Sequence, residues 1–170
     1  MRKPSLIGLV IAAMFGCGGG GPARPEGPKP VVTDRVLVNV DANGVALDGH
    51  DPIAYTTDGA PVQGSSAHVA RHGGAVYHFA TAEHQATFEA DRAKHAPAYG
   101  GYCAFAASQN RLSPSDPTAF LVLDGQLLMF TNAEFLEMFQ KDPAGNKAKA
   151  DANWPGLVTQ HGKPAGVATP

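Results

Sequence analysis

"AHVARHGGAVYHFATAEHQATFEADRAKH", Ala67 to His95, contains both kinds of regular structure in one short run. Strand-forming residues flank His72-Gly73-Gly74, and paired glycines supply the positive φ angles that a two-residue hairpin needs. In "AVYHF", Val76 and His78 point one way and Tyr77 and Phe79 the other. Thr81 then stands where a helix N-cap belongs, and Glu83 sits near the helix's positive end. From Ala82 to His95 there is no glycine or proline, so the run predicts a helix ending just before Pro97. A hairpin that leads directly into a helix points to an α+β domain rather than a doubly wound parallel sheet.

The neighbouring segments extend this pattern. "RVLVNVDANGVAL", Arg35 to Leu47, predicts two short strands around Asp41-Ala42-Asn43-Gly44, and "IAYTT", Ile53 to Thr57, a further short strand. "TAFLVLDGQLLMF", Thr118 to Phe130, predicts a hairpin turning at Asp124-Gly125. Thr131 or Asn132 caps a last helix over "AEFLEMFQ". Pro143 and Gly145 interrupt it, and a second helical piece follows through "NKAKADANW". The expected fold is a small single α+β domain, residues 33–155, of antiparallel hairpins packed with two to three helices. Residues 156–170 are expected to be a disordered tail.

The N-terminus reads as an export signal. Arg2 and Lys3 precede the apolar run Leu6 to Phe15, which is too short to stay in a bilayer as a spanning helix. Gly16 and Cys17 follow in the layout of a lipoprotein signal, in which Cys17 carries the lipid. Met14 holds the position where leucine is usual. The other reading is an ordinary signal peptide cut nearby. Residues 18–32 are rich in glycine and spaced proline, the composition of an unfolded tether. These features together predict a lipid-anchored protein of the bacterial envelope facing the periplasm. Gly18 fits sorting to the outer rather than the inner membrane.

Of 13 basic and 15 acidic residues, removal of Arg2 and Lys3 leaves 11 basic, a net charge of −4 with neutral histidines. No basic cluster is present, which argues against a nucleic-acid partner. Phosphate loops, nucleophile elbows, paired zinc-binding histidines and Cys-x-x-Cys pairs are absent from the sequence, so no enzyme is indicated.

With Cys17 lipidated, Cys103 in "AYGGYCAFA" has no intramolecular partner. In an oxidising compartment such a thiol is expected to be buried, ligated or bridged to another chain. Seven histidines are the other candidate donors. His68, His72 and His161 read as surface residues, whereas His50, His78, His84 and His95 sit near elements that also carry Asp51 and Cys103. On one unbroken helix His84 and His95 would stand roughly 16 Å apart, too far for one ion, whose ligands lie within about 4 Å of each other. The plainer readings are half-buried histidines bonded to backbone, a small apolar cysteine, and a turn-forming Asp51.

"VALDGHDPIAYTTDGAPVQGS", "YHFATAEHQATFEADRAKHAPAYGGYCAFAAS" and "ANWP" together resemble the exported, single-domain branch of the YHS-domain proteins, over about Val38 to Pro155. The resemblance implies a small α+β domain and an association with metal handling. It carries over best at Asp51, Tyr99 and Cys103. The family's thiolate-rich site does not carry over, because Ala80 follows Phe79 and an earlier cysteine pair is missing. Asparagine and tyrosine are the more usual residues at the positions of His84 and His95. On this resemblance the leading expectation is a weak transition-metal site. Cys103 would be one ligand, beside His78 or His84 and Asp51 or His50, with copper or zinc as the ion. The rival expectation is a protein-binding or structural module without metal, in which Cys103 is core and Tyr99 or Tyr102 meets an unidentified envelope partner.

Overall fold

The computed structural model describes residues 35–165. Within them, three two-stranded antiparallel sheets and six α-helices form a small α+β domain. In chain order the elements are β1 (Arg35–Val36), α1 (Ala54–Thr57), β2 (Ser65–His72), β3 (Ala75–Phe79), α2 (Ala82–Ala90), α3 (Arg92–His95), α4 (Ala104–Ser108), β4 (Asp116–Leu123), β5 (Gln126–Phe130), α5 (Ala133–Gln140), α6 (Pro143–His161) and β6 (Lys163–Pro164). β2 pairs with β3, β4 with β5, and β1 with β6.

Strand β5, "QLLMF", is buried along nearly its whole length and divides the interior. Side chains alternate across a strand. Leu127 and Met129 therefore join one core with Tyr55, Tyr77, Phe79 and Phe88. Leu128 and Phe130 join the other with Cys103, Ala107, Phe139 and Leu157. A strand covered on both faces needs this unbroken apolar run rather than an alternating one.

Both hairpins form where the sequence puts them, and Gly73 and Gly74 have φ of 59° and 82°. Thr81 and Asn132 cap α2 and α5, accepting the amides of His84 and Phe135. The helices outnumber the expected two to three because several are single turns.

Four segments differ from expectation. Ile53 to Thr57 is helical, not a strand. The Asp51 carboxylate accepts the Ile53 N–H, and the hydroxyls of Thr56 and Thr57 donate to the Ile53 carbonyl. These local side-chain bonds outweigh the strand preference of threonine. The helix from Ala82 breaks at Asp91, whose φ of −151° leaves the helical region and whose carboxylate caps α3 at Lys94. The segment Arg35 to Leu47 makes only isolated bridges, Val40 to Ala46 within itself and Val45 to Val76 of β3, while β1 itself pairs with the far end of the chain.

The largest correction concerns the region after Pro155. Residues 156–161 continue α6, and β6 follows; residues 166–170 lie outside the described part. Pro143 separates α5 from the second helical piece, as the sequence predicts, and starts α6 at a position where its missing N–H costs nothing, whereas Gly145 lies within α6. Pro155 within the helix costs about 3 kcal/mol. Trp154, Leu157 and Val158 stand at helical spacing, and Leu157 and Val158 are buried. Burying two such side chains contributes about 1.5–3 kcal/mol each, enough to offset the proline.

The entry segment, Arg35 to Leu47, crosses a sharp turn at Tyr99-Gly100-Gly101. Asn39 donates its N–H to the Gly100 carbonyl at 2.8 Å. A Cβ on Gly100 would overlap the Leu37 carbonyl oxygen, and its φ of 56° also favours glycine.

Candidate functional site

Asp51 is completely buried and is the best-connected ionisable group near the expected site. Its Oδ1 accepts the Ile53 N–H at 2.8 Å, and its Oδ2 accepts the Ala80 N–H at 2.8 Å. The same Oδ2 lies 2.7 Å from Nδ1 of His84. A carboxylate that already accepts two amides leaves Nδ1 to carry the proton, which fixes the imidazole as the Nδ1–H tautomer. His84 is itself placed by the N-cap of α2, since its backbone N–H donates to Thr81 Oγ1 at 3.1 Å. The carboxylate thus lies at the start of α2, where the helix dipole favours negative charge. Its bonds join the Asp51 loop to the β3–α2 junction.

The other expected ligands are elsewhere. His50 turns Nδ1 to the Leu47 carbonyl at 3.0 Å. His78 lies on the face of β3 opposite Phe79 and is half-buried. Cys103 is completely buried in the second core, among Ala104, Ala107, Leu128 and Phe130. Its N–H donates to the Ser113 carbonyl at 3.0 Å. Its Sγ accepts the Ala106 N–H at 3.5 Å, so the thiol acts as the N-cap of α4.

The expected copper or zinc ligands are not gathered at one point. Both Asp51 oxygens are already occupied by N–H donors, and the sulfur is committed to a helix cap on the far side of β5. Among the described residues, no three His, Cys, Asp or Glu side chains come together as ligands. Asp51 and His84 are the one pair from the expected set that the fold joins through side chains.

Of the two aromatics expected to meet a partner, Tyr99 is enclosed and Tyr102 is half-buried. Tyr99 is 6% exposed and has a φ of 52°, unusual for a bulky residue. Its hydroxyl donates to Asp151 Oδ1 at 2.8 Å, while Lys147 Nζ bonds Oδ2 of the same carboxylate at 2.9 Å. Its ring meets Trp154 edge-on at 5.7 Å, and Tyr102 packs on the same indole at 6.4 Å. Burial, then the bond and charge of Asp151, hold the Tyr99 phenol well above its usual range. Lys147 and Tyr99 hold the Asp151 carboxyl low against the opposing effect of burial, the largest single influence on it. The arrangement pins the strained Tyr99-Gly100-Gly101 turn to α6.

Sequence reasoning passed over Asp151, met Trp154 only within the "ANWP" motif, and placed His72 at the surface. The i,i+4 spacing of Lys147 and Asp151 was a usable signal for the first. His72, read as surface, is half-buried with its ring 6.3 Å from that of Phe88. Cys17 lies outside the described residues. Within them, no helix is long and apolar enough to cross a membrane. Comparison with protein-family models, curated proteins and solved structures finds no match to this chain.

Proposed function

We propose that this chain is an envelope-tethered binding module of YHS-like type whose fold and activity do not depend on a metal. The observation that carries the reading is the placement of Cys103. Its sulfur caps α4 inside an apolar core, and a sulfur so placed has no route to an ion without dismantling that core. Asp51 and His84 then serve as a structural clasp, with the carboxylate held by three N–H donors. Lipid at Cys17 and the tether after it would hold the domain at the membrane surface, on the pattern of the leader residues alone.

Two experiments test this. Titration of the purified chain with Zn(II) or Cu(I) is expected to give the same uptake before and after Cys103→Ala. Stoichiometric uptake lost in that variant would overturn the metal-free reading. Labelling of growing cells with radioactive palmitate is expected to mark the wild type and not Cys17→Ser. Equal labelling of both, or of neither, would remove the anchor from the account.

A further inference from the structure

Between the two cores lies a cavity of about 340 Å³. Its floor is the inner face of the β2–β3 hairpin, where His72 and Tyr77 both rest against Phe88. The entry segment forms one wall, and Ala96, Pro97 and Trp154 contribute to the others. Tyr77, Val38 and Ala96 pack with the first core, and Trp154 with the second, so the cavity occupies the seam where neither core closes.

Tyr77 is the informative residue. It exposes 1% of its surface, yet its hydroxyl has no hydrogen-bond partner among the described residues. No side-chain polar atom among them is both fully enclosed and unpartnered. The hydroxyl therefore borders open space, and the space that Tyr77 lines is this cavity. Buried polar groups are almost always hydrogen-bonded, so a phenol held here calls for something to meet it. The volume is near the lower end of small-molecule sites, about 300–1,000 Å³, and far above the roughly 30 Å³ of one water.

The surroundings select the chemistry. Val36, Val38, Ala96 and Pro97 give apolar walls. At the rim the exposed Arg35 guanidinium donates to the Gly162 carbonyl. Burial raises the Tyr77 phenol, and burial first, then Arg92, lowers the His72 imidazole, so both are uncharged at neutral pH.

We propose that this cavity binds a small uncharged molecule, its apolar body against Val36, Val38, Ala96 and Pro97 and a carbonyl or hydroxyl oxygen on the Tyr77 hydroxyl. The site rests on the binding-module reading above and names the ligand class for it.

The test is an amide- and indole-resolved NMR titration of the full chain with three one-ring probes: acetophenone, ethylbenzene and benzoate. Acetophenone is expected to shift the Gly73, Tyr77, Ala96 and Trp154 signals saturably, and more tightly than the other two. Tyr77→Phe is expected to weaken acetophenone about five- to tenfold, the worth of one hydrogen bond, and to leave ethylbenzene unchanged. Ala93→Leu, at an exposed helical position on the cavity wall, is expected to block all three without disturbing the fold. Absence of saturable shifts at millimolar probe, or shifts that neither variant alters, would overturn the proposal. Neither result would change the metal uptake of the chain, so failure here is distinguishable from failure of the metal-free reading.

Discussion

Nδ1 of His84 lies 2.7 Å from Oδ2 of Asp51, a half-buried imidazole held against a carboxylate that is completely enclosed. Two backbone amides, from Ile53 and Ala80, complete the coordination of that carboxylate. Removing the carboxylate strands all three donors, whereas removing the imidazole strands only one acceptor position. Each buried unsatisfied group costs about 1–3 kcal/mol. Asp51→Ala is therefore expected to lower unfolding free energy by about 3 kcal/mol or more, and His84→Asn by about 1 kcal/mol. Urea denaturation measures both, and an Asp51→Ala protein as stable as the wild type would contradict the clasp.

The Tyr99 hydroxyl anchors a turn that its own backbone strains. Tyr99→Phe keeps the ring contact with Trp154 and loses the bond to Asp151. The expected loss is about 1 kcal/mol. If the bond carries that effect, Asp151→Ala, which removes the acceptor, should cost a similar amount, and combining it with Tyr99→Phe should add little. Full additivity would show that the two residues act separately.

Leu157 tests the corrected end of the domain. It is 2% exposed within the second core, so Leu157→Ala should destabilise by about 2–5 kcal/mol. A neutral result in the melting curve would mean that the chain after Pro155 is not packed.

His72 predicts a pH dependence. Its imidazole is lowered from its usual 6.5, mainly by burial and then by Arg92. Below 6.5 the unfolded chain takes up a proton that the folded chain resists. The unfolded state then binds more protons, so stability falls as pH falls. This contribution is fully present above 6.5 and is lost on descending through the lowered folded value. His72→Gln is expected to flatten that limb of the stability profile. An unchanged slope would place His72 in solvent.

The α+β class was legible because its signals are local. The Gly73-Gly74 and Asp124-Gly125 turns, the caps at Thr81 and Asn132, and the proline-free run after Ala82 all act within a few residues. The helix at Ile53 to Thr57 was hidden because Asp51, outside it, supplies the bond that starts it. Likewise the helix through Pro155 depends on burying Leu157 and Val158 against residues far away in sequence. Among the site candidates, Asp51 and His84 are 33 positions apart and meet only through the fold. No spacing rule separates them from His50 or His78. The fate of Cys103 depended on which face of its loop turned inward, and "GYCAF" offers apolar neighbours on both sides.

The central claim is that Cys103 is a core thiol and not a ligand. The direct measurement is labelling of the full chain carrying Cys17→Ser, where Cys103 is the sole thiol, with and without chelator, folded and in denaturant. The account predicts no reaction while the protein is folded, identical traces with and without chelator, and full labelling on unfolding. Reaction of the folded protein that begins when metal is stripped away would contradict it.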